Sequence, residues 1–201
     1  QHFGDLDFGG GLVYVPVTEP GLPFLRDPKY WSAPTEELEA ARLRGEWETL
    51  PDRDRRVMAV FDRDLRWLGG FELKPDANGE PIGGSWCAVN PIDGRLYISP
   101  WFEISDPRPT VIHVLEVDRT AWTYRHVDTF ELYDRAGKPS RVRAIQGGSF
   151  STRGHLYLLS DERVDLESKH TSPNSGIYGF DMVTGRQRLH RFVAYVGGDE
   201  G

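Results

Sequence analysis

The stretch of the sequence with the most reactive side chains is its beginning, where one histidine and two acids fall within positions 2–7. His2, Asp5 and Asp7 surround Gly4, whose missing side chain lets another backbone come close. Imidazole and carboxylate together suit a transition metal, and a carboxylate with amide and carbonyl oxygens suits Ca²⁺. A histidine beside an acid also suits acid–base catalysis of hydrolysis or of lactone opening.

Two other groups of residues indicate chemistry less strongly. The acids and His170 of the segment 160–176 would suit a metal ion, but a solvated polar loop explains them as well and is favoured. Ser149 and Ser151 precede His155 closely, but alternation along a strand puts the serines on one face and the histidine across a turn. The sequence therefore predicts no nucleophilic pair there, and it contains no HExxH motif, EF-hand loop or nucleophile elbow.

Composition narrows the class of protein and of partner. Hydrophobic residues make up 38% and charged residues 27% of the chain, which is typical of a soluble globular protein. The net charge of −7 argues against a nucleic-acid partner and against an anionic membrane surface. The single cysteine, Cys87, excludes an internal disulfide, and no run of about 18 apolar residues predicts a membrane span. These features predict a soluble protein and are compatible with secretion.

Any site must be positioned by the secondary structure, and the sequence predicts that structure through repetition. Three short apolar strands, near residues 6–8, 86–89 and 148–150, are each followed by a glycine-containing turn and a second strand. The second strands align on a Gly-x-Leu motif in the segments Gly10–Val15, Gly94–Ser99 and Gly154–Leu159. The chain therefore repeats one hairpin three times.

A second pair of predicted strands follows each of these hairpins. The two strands of the pair meet at an aspartate, which is Asp62, Asp118 or Asp181. A carboxylate at the end of a strand accepts hydrogen bonds from the N–H groups of the turn that follows. The aspartates recur roughly 60 residues apart, so the chain holds three units of four short strands.

This pattern resembles the six-bladed β-propeller superfamily, in which G-x-LY strand pairs precede segments of the type V/I-x-x-F-D-x-x-T-G. The resemblance implies an all-β fold of about three four-stranded blades, which is half of a six-bladed ring. The Gly-His and Trp-Asp markers of WD40 blades are absent, and the double glycines do not follow the second strand as they do in kelch blades. A different packing of sheets, such as a sandwich, is the less favoured alternative.

Two segments interrupt the repeats within a single propeller portion that spans residues 1–201. Residues 18–55 form an insertion in the first blade, where Thr35 as an N-cap and the glutamates after it predict a short helix. Residues 160–176 form a polar loop excursion in the third blade.

Three blades leave a propeller open, because closed rings have roughly four to eight blades. Unpaired strand edges and apolar faces would then be exposed. We therefore expect the remaining blades to come from the same parent chain or from a second copy. The start of the sequence within a first strand favours the parent chain.

In a propeller the innermost strands line a central channel, and the loops that enter them form one mouth. The resemblance therefore brings residues that are distant in sequence together. The predicted ligand-binding residues at this mouth are His2, Asp5, Ser85, Trp86, Gln146 and Ser149. His2 and Asp5 are also the predicted ligands of a divalent cation, either Ca²⁺ or Zn²⁺. The alternative is that these polar side chains line a water-filled channel and satisfy one another.

Three functions fit this architecture. The favoured one is a binding module for a small molecule, a glycan or a protein at the channel mouth. Trp31, Trp86 and Trp101 would form a wall for a flat ligand, and core packing between blades explains these side chains equally well. The second is a propeller hydrolase or lyase with metal assistance, and the third is a structural or assembly domain. The fold does not choose among them, because propellers support all three.

Overall fold

The computed structural model describes residues 2–3, 5–18, 56–84, 86–102, 105–162 and 172–192. The regular elements in these ranges are all β-strands. In chain order they are β1 (His2–Phe3), β2 (Asp7–Gly9), β3 (Leu12–Thr18), β4 (Arg56–Asp62), β5 (Trp67–Glu72), β6 (Cys87–Val89), β7 (Leu96–Ile98), β8 (Val111–Asp118), β9 (Thr123–Glu131), β10 (Ile145–Phe150), β11 (His155–Ser160), β12 (Gly176–Asp181) and β13 (Arg186–Arg191). Within these ranges, no helix has the length and apolar character that crossing a membrane requires.

The strands form three antiparallel sheets, and each sheet follows chain order. The second and third sheets have the strand orders β6-β7-β8-β9 and β10-β11-β12-β13. In the first sheet β1 and β2 both pair with β3, β1 near Thr18 and β2 near Leu12, and together they fill one strand position beside β3, β4 and β5. Each sheet is therefore four strand positions wide, and the predicted three units of four strands are confirmed.

The sheets meet along their first strands. Strand β6 contacts both β2 and β10, and a parallel bridge joins Asp5, just before β2, to Trp86, just before β6. The three first strands therefore lie side by side while the other strands extend outwards from them. This is the arrangement of propeller blades, and we name the sheets blade 1 (β1–β5), blade 2 (β6–β9) and blade 3 (β10–β13).

Two apolar cores hold the blades together, and blade 2 contributes to both. The core between blades 1 and 2 is built from Tyr14, Met58, Val60, Phe71, Leu73, Ile82, Cys87, Val89, Leu96, Ile98 and Leu115. The core between blades 2 and 3 is built from Trp86, Ala88, Tyr97, Ile112, Val114, Leu132, Val142, Ile145, Leu156, Leu158, Tyr178 and Phe180. Because neighbouring residues of a strand face opposite sides, one strand supplies both cores of blade 2.

The turn aspartates act as the sequence predicts. Oδ1 of Asp62 accepts the N–H groups of Asp64 and Arg66 at 2.8 and 2.9 Å. Asp118 accepts the N–H of Thr120 at 2.8 Å, and Asp181 accepts that of Val183 at 3.0 Å. Each carboxylate closes the turn between the third and fourth strands of its blade, which confirms this prediction.

The strand register corrects the alignment of the first repeat by one residue. Tyr14 pairs with Asp7 and faces blade 2, as Tyr97 pairs with Ala88 and faces blade 3. Tyr14, and not Val13, is therefore the counterpart of Tyr97. The difference in turn length causes this shift. In blade 1 only two residues separate the paired Gly9 and Leu12, whereas in blade 2 a longer loop separates the paired Val89 and Leu96.

The two predicted insertions lie partly or wholly outside the described residues. The helix in the insertion 18–55 falls at positions that the structure does not describe, since Thr18 ends β3 and the description resumes at Arg56. Of the excursion 160–176, the described positions are 160–162 and 172–176, which lie between β11 and β12.

Candidate binding site at the inner strands

The predicted site lies at one end of the blades, where β6 and β10 begin, and we call this the loop end. The connections from the second to the third strand of each blade also lie here, and they are long in all three blades. At the opposite end the hairpins close through short turns such as Gly10-Gly11. The loop end therefore carries the longest connections between the described strands.

Asp5 is the residue that joins the three blades at the loop end. Its backbone carbonyl accepts a weak hydrogen bond from the Cys87 thiol of blade 2, with a sulfur–oxygen distance of 3.8 Å. Its side-chain Oδ2 accepts the backbone N–H of Gly148 in blade 3 at 3.3 Å. One residue at the start of the chain thus contacts both other inner strands.

The double glycine of β10 makes this approach possible. A Cβ atom on Gly147 would lie 2.5 Å from Oδ2 of Asp5, and one on Gly148 would lie 2.4 Å from Cε3 of Trp86. Both distances are shorter than real Cβ contacts. The missing side chains therefore let the carboxylate reach the blade 3 backbone on one face while an indole packs against the other.

Asp7 is the second acid of the site and joins blades 1 and 2. Its Oδ2 accepts the backbone N–H of Val89 at 2.7 Å. Partial burial raises the pKa of Asp7 despite this hydrogen bond. Burial likewise raises the pKa of Asp5, the Gly148 N–H opposes that shift, and the negative charge of Asp7 adds to it.

Cys87 lies beneath the two acids and is fully buried. Its Sγ donates to the carbonyl of Tyr14 at 3.4 Å. Burial raises the pKa of the thiol well above its ordinary value, and the charge of Asp7 raises it further. The thiol is therefore a packing group here and not a nucleophile, as its place in an apolar strand suggests.

The other predicted site residues have different environments. Gln146 and Ser149 are exposed and flank the double glycine on β10. Trp86 is buried between blades 2 and 3, where its Nε1–H donates to Oγ of Ser99 at 3.0 Å. The structure thus brings Asp5 together with Trp86 and the Gly148 backbone, whereas Ser85 and the side chain of His2 lie outside its description.

The metal hypothesis depends on the part of the site that is not described. Within the described ranges, no group of three or more His, Cys, Asp or Glu side chains is arranged to hold a metal ion. Of the two predicted ligands, only the carboxylate of Asp5 is described. The cation site at His2 and Asp5 stays a prediction.

A tethered arginine at the loop end is a feature that the sequence did not predict. Arg143 is buried just before β10, and its guanidinium donates to the backbone carbonyls of Val142, Asp106 and Arg108. Burial lowers its pKa below the ordinary value. These contacts fix the segment that leads into Gln146, and no local motif marks an arginine that binds carbonyls.

Charged residues surround this arginine at the surface. Arg108 contacts Asp106 at 2.7 Å and Glu80 at 2.6 Å, and its guanidinium holds the pKa of Asp106 down to about 2. The guanidinium of Arg108 also lies 5.6 Å from the ring centroid of Phe102, against which Arg143 packs at 5.2 Å. The loop between β7 and β8 is thereby tied to the base of β10.

An imidazole pair inside blade 2, with His113 buried and His126 exposed, is a second feature that the sequence did not predict. Nδ1 of His113 lies 3.2 Å from Nε2 of His126 and 3.0 Å from Oγ1 of Thr129. Burial, and then the nearby His126, lower the pKa of His113 to about 4, while the charge of Asp76 opposes the shift. Ile112 and Val114 face the core with blade 3, so alternation along β8 directs His113 to the opposite face of the sheet, where it pairs with Ile98.

Comparisons with known proteins add little to this description. No protein-family model and no curated protein matches the sequence. Among solved structures, the chain is similar to the β-propeller domain of the Trilobed protease from Pyrococcus furiosus, which has an open velcro topology. The two are 8% identical with a TM-score of 0.38, and the match covers 94% of this chain and 42% of that one. The identification of blades therefore rests on strand order and inner-strand contacts.

Proposed function

We propose that the chain is a propeller-type binding module whose ligand is a small polar molecule held at the loop end of the inner strands. The observation that carries the proposal is the contact of the Asp5 carboxylate with the Gly148 backbone. It fixes a partly exposed acid of blade 1 beside blade 3, so the acceptor has a defined position before any ligand arrives. Pre-organised polar groups of this kind favour specific binding.

The neighbouring side chains favour a ligand that carries hydroxyl or ammonium groups. Gln146 and Ser149 are exposed on the strand that contacts Asp5, and they supply an amide and a hydroxyl. Asp5 and Asp7 give the site a negative character, which suits a donor-rich ligand. Trp101, partly exposed at the same end, is a surface on which a sugar ring would stack. A glycan or the polar tip of a protein loop would use the same groups.

The binding test uses a defined panel of ligands with isosteric variants. Neutral mono- and disaccharides, amino acids, Ca²⁺ and Zn²⁺ are added singly, thermal shifts are recorded, and positive ligands are titrated calorimetrically. Asp5→Asn keeps the shape of the side chain and removes its charge, and Gly147→Ala displaces the carboxylate. We expect each to weaken binding at least tenfold, roughly the loss of one charge-assisted hydrogen bond.

The matched control is Asp64→Asn, which removes a charge from an exposed turn at the opposite end of blade 1. It should bind as the native protein does. Equal affinity of Asp5→Asn and the native chain would contradict the proposed site. The absence of any binder in the panel would favour the structural or assembly alternative.

The raised pKa values of Asp5 and Asp7 favour a hydrolase or lyase as the second candidate. A carboxylic acid whose pKa is raised holds its proton closer to neutral pH and so serves better as a general acid. Turnover of lactones or esters that disappears in Asp5→Asn but not in Asp64→Asn would support catalysis over binding alone.

A further inference from the structure

A cleft of about 500 Å³ lies at the periphery of the molecule, between the outer strand of blade 2 and the β12–β13 turn of blade 3, and we call it the peripheral cleft. Its lining includes Asp128, Phe130 and Glu131 of β9 and Met182 and Val183 of the turn. No lining residue belongs to an inner strand, so this cleft is distinct from the site at the loop end. Its volume lies within the range that ligand-binding clefts have.

Backbone hydrogen bonds join the two blades directly beside this cleft. The N–H of Tyr133 donates to the carbonyl of Gly185 at 2.9 Å, and the N–H of Gln187 donates to the carbonyl of Tyr133 at 2.8 Å. A parallel bridge pairs Tyr133 with Arg186, at the start of β13. The segment that continues β9 therefore already pairs through its outer edge with a strand of the neighbouring blade.

The same outer edge of β9 faces the cleft two residues earlier. In an antiparallel pair, successive residues direct their N–H and C=O groups alternately towards the partner strand and away from it. The N–H of Leu132 donates inwards, to the carbonyl of Thr110 at 3.1 Å, and that of Tyr133 donates outwards. The N–H and C=O of Glu131 therefore point outwards as well. The turn agrees with this, because a Cβ on Gly185 would lie 3.1 Å from the carbonyl oxygen of Glu131.

The backbone groups of Glu131 are available for pairing. Thr129, two positions earlier, has the same orientation, and its N–H donates to Oδ1 of Asp128 at 2.8 Å. Among the residues that the structure describes, neither the outward N–H nor the outward C=O of Glu131 has such a partner. A strand edge with free N–H and C=O groups is a template for the addition of another strand.

The lining of the peripheral cleft is acidic. It contains Asp128 and Glu131, and none of the lining residues is a lysine, an arginine or a histidine. The half-buried carboxylate of Glu131 accepts a hydrogen bond from one described side chain, the hydroxyl of Tyr133, at 3.4 Å. The guanidinium of the neighbouring Arg186 lies beside Gly137 and does not line the cleft. The cleft therefore attracts a cationic group and repels an anionic one.

Apolar side chains complete the lining. Phe130 and Met182 are partly buried and pack against the core between blades 2 and 3, which holds both in place. Val183 lies at the rim and is 95% exposed. A lysine or arginine side chain has an apolar stem and a charged tip, so its stem would cover this apolar surface while its tip contacts a carboxylate. The cleft thus combines groups that bind a main chain with groups that bind a basic side chain.

We propose that the peripheral cleft binds a short extended peptide segment that carries a basic side chain and adds to the outer edge of β9. The main chain of the peptide exchanges hydrogen bonds with the N–H and C=O of Glu131, as in other cases of strand addition. Its lysine or arginine lies along Phe130 and Met182 and reaches the carboxylates of Glu131 and Asp128. The same carboxylates disfavour an acidic segment, so they supply specificity as well as affinity.

NMR titration of the isotopically labelled chain tests this proposal with three probes. The first is a capped pentapeptide of sequence Thr-Val-Lys-Val-Thr, the second has glutamate in place of lysine, and the third is n-butylamine. The lysine peptide should shift the amide resonance of Glu131 and those of its neighbours in β9 and in the β12–β13 turn. The glutamate peptide lacks the cation and n-butylamine lacks the main chain, so each should bind at least about fivefold more weakly.

Two variants and a matched control locate the binding site. Glu131→Gln removes a lining charge, Val183→Arg adds an opposing one, and each should weaken the lysine peptide about fivefold or more. Glu116→Gln removes an exposed acid from β8 of the same blade and should bind as the native chain does. Circular dichroism shows whether each variant is folded. Failure of the lysine peptide to bind, or equal binding of the glutamate peptide, overturns the proposal. Equal binding of n-butylamine overturns it in favour of a site for small amines.

Discussion

His113 is a titratable residue at a buried position of blade 2. The residue is buried, and its Nδ1 is shared between His126 and Thr129. Its Nε2 is also buried and makes no hydrogen bond with a described residue. In an imidazolium both ring nitrogens of His113 carry a proton, so one N–H would point at His126 and the other would be buried away from water. The neutral imidazole is therefore the stable form.

This predicts a loss of stability in mild acid that depends on His113. Its pKa falls from 6.5 to about 4 on folding, so the unfolded state binds the proton more readily than the folded state does. The stability is fully present above pH 6.5 and is lost as the pH falls towards 4. The lost free energy of unfolding is on the order of 3 kcal/mol. Urea denaturation at several pH values measures it.

The control for this prediction is a pair of substitutions. His113→Gln should have a flatter pH dependence than the native chain, whereas His155→Gln, which changes a partly exposed histidine at the start of β11, should keep it. An identical pH dependence in His113→Gln and the native chain would show that other groups cause the acid sensitivity.

Single residues were predictable where a local contact decides their role. The turn carboxylates Asp62, Asp118 and Asp181 bind N–H groups a few positions away, so the sequence pattern contains the whole interaction. Asp5 contacts Gly148, which is distant in sequence, so only the resemblance to propellers, and no local pattern, placed the two strands together. The burial of Trp86 and the carbonyl contacts of Arg143 depend on the packing of two blades, which no local pattern encodes.

At the scale of strands, the repeat places a tyrosine at the same position of blades 2 and 3, and the two tyrosines have different environments. Tyr97 packs against Phe150 of blade 3 with ring centroids 4.8 Å apart, and its hydroxyl donates to Asp93 at 2.9 Å. Tyr157 occupies the equivalent register position without a described blade beyond it. The presence of a described neighbouring blade, and not the residue type or the register position, therefore sets what each tyrosine contributes.

The same substitution should therefore have unequal effects in the two strands. Tyr97→Ala leaves a cavity between blades 2 and 3 and should lower the free energy of unfolding by about 3 kcal/mol or more. Tyr157→Ala should change it by less than about 1 kcal/mol, because an exposed side chain is removed. Urea denaturation of the two variants and of the native chain measures both losses. Equal losses would refute the assigned faces.

The strands themselves were largely predictable, and the reason is the regular alternation of apolar residues. The three hairpins, the second strand pairs and the blade count follow from that alternation with the glycine and aspartate turns. The alignment of blade 1 was wrong by one residue because its hairpin turns through Gly10-Gly11, while the hairpins of blades 2 and 3 use longer loops. Loop length changes register, and a one-residue change moves every side chain to the other face.

At the scale of the whole molecule, blade 2 is the only described blade with described neighbours on both sides. Its strand β7 supplies Leu96 and Ile98 to one core and Tyr97 to the other. Blade 3 has one core and one accessible face, and its outer strand β13 has mostly exposed or half-exposed residues. Stability should therefore be distributed unevenly along the chain.

Amide hydrogen exchange should reveal this gradient. We expect the slowest exchange in β7 and β8, whose opening requires the separation of both cores, and the fastest strand exchange in β13. Exchange followed by mass spectrometry or NMR on the folded chain measures the order. Protection of β13 equal to that of β7 would indicate that blade 3 is covered as completely as blade 2.

The buried sulfur of Cys87 gives this molecule an endogenous reporter. The thiol is fully buried, and its raised pKa disfavours the thiolate. An alkylating reagent therefore reacts with it only after blades 1 and 2 have separated. Since it is the sole cysteine of the chain, each labelled molecule records one such opening. The labelling rate therefore measures how often the two blades separate in the native protein, without any engineered probe.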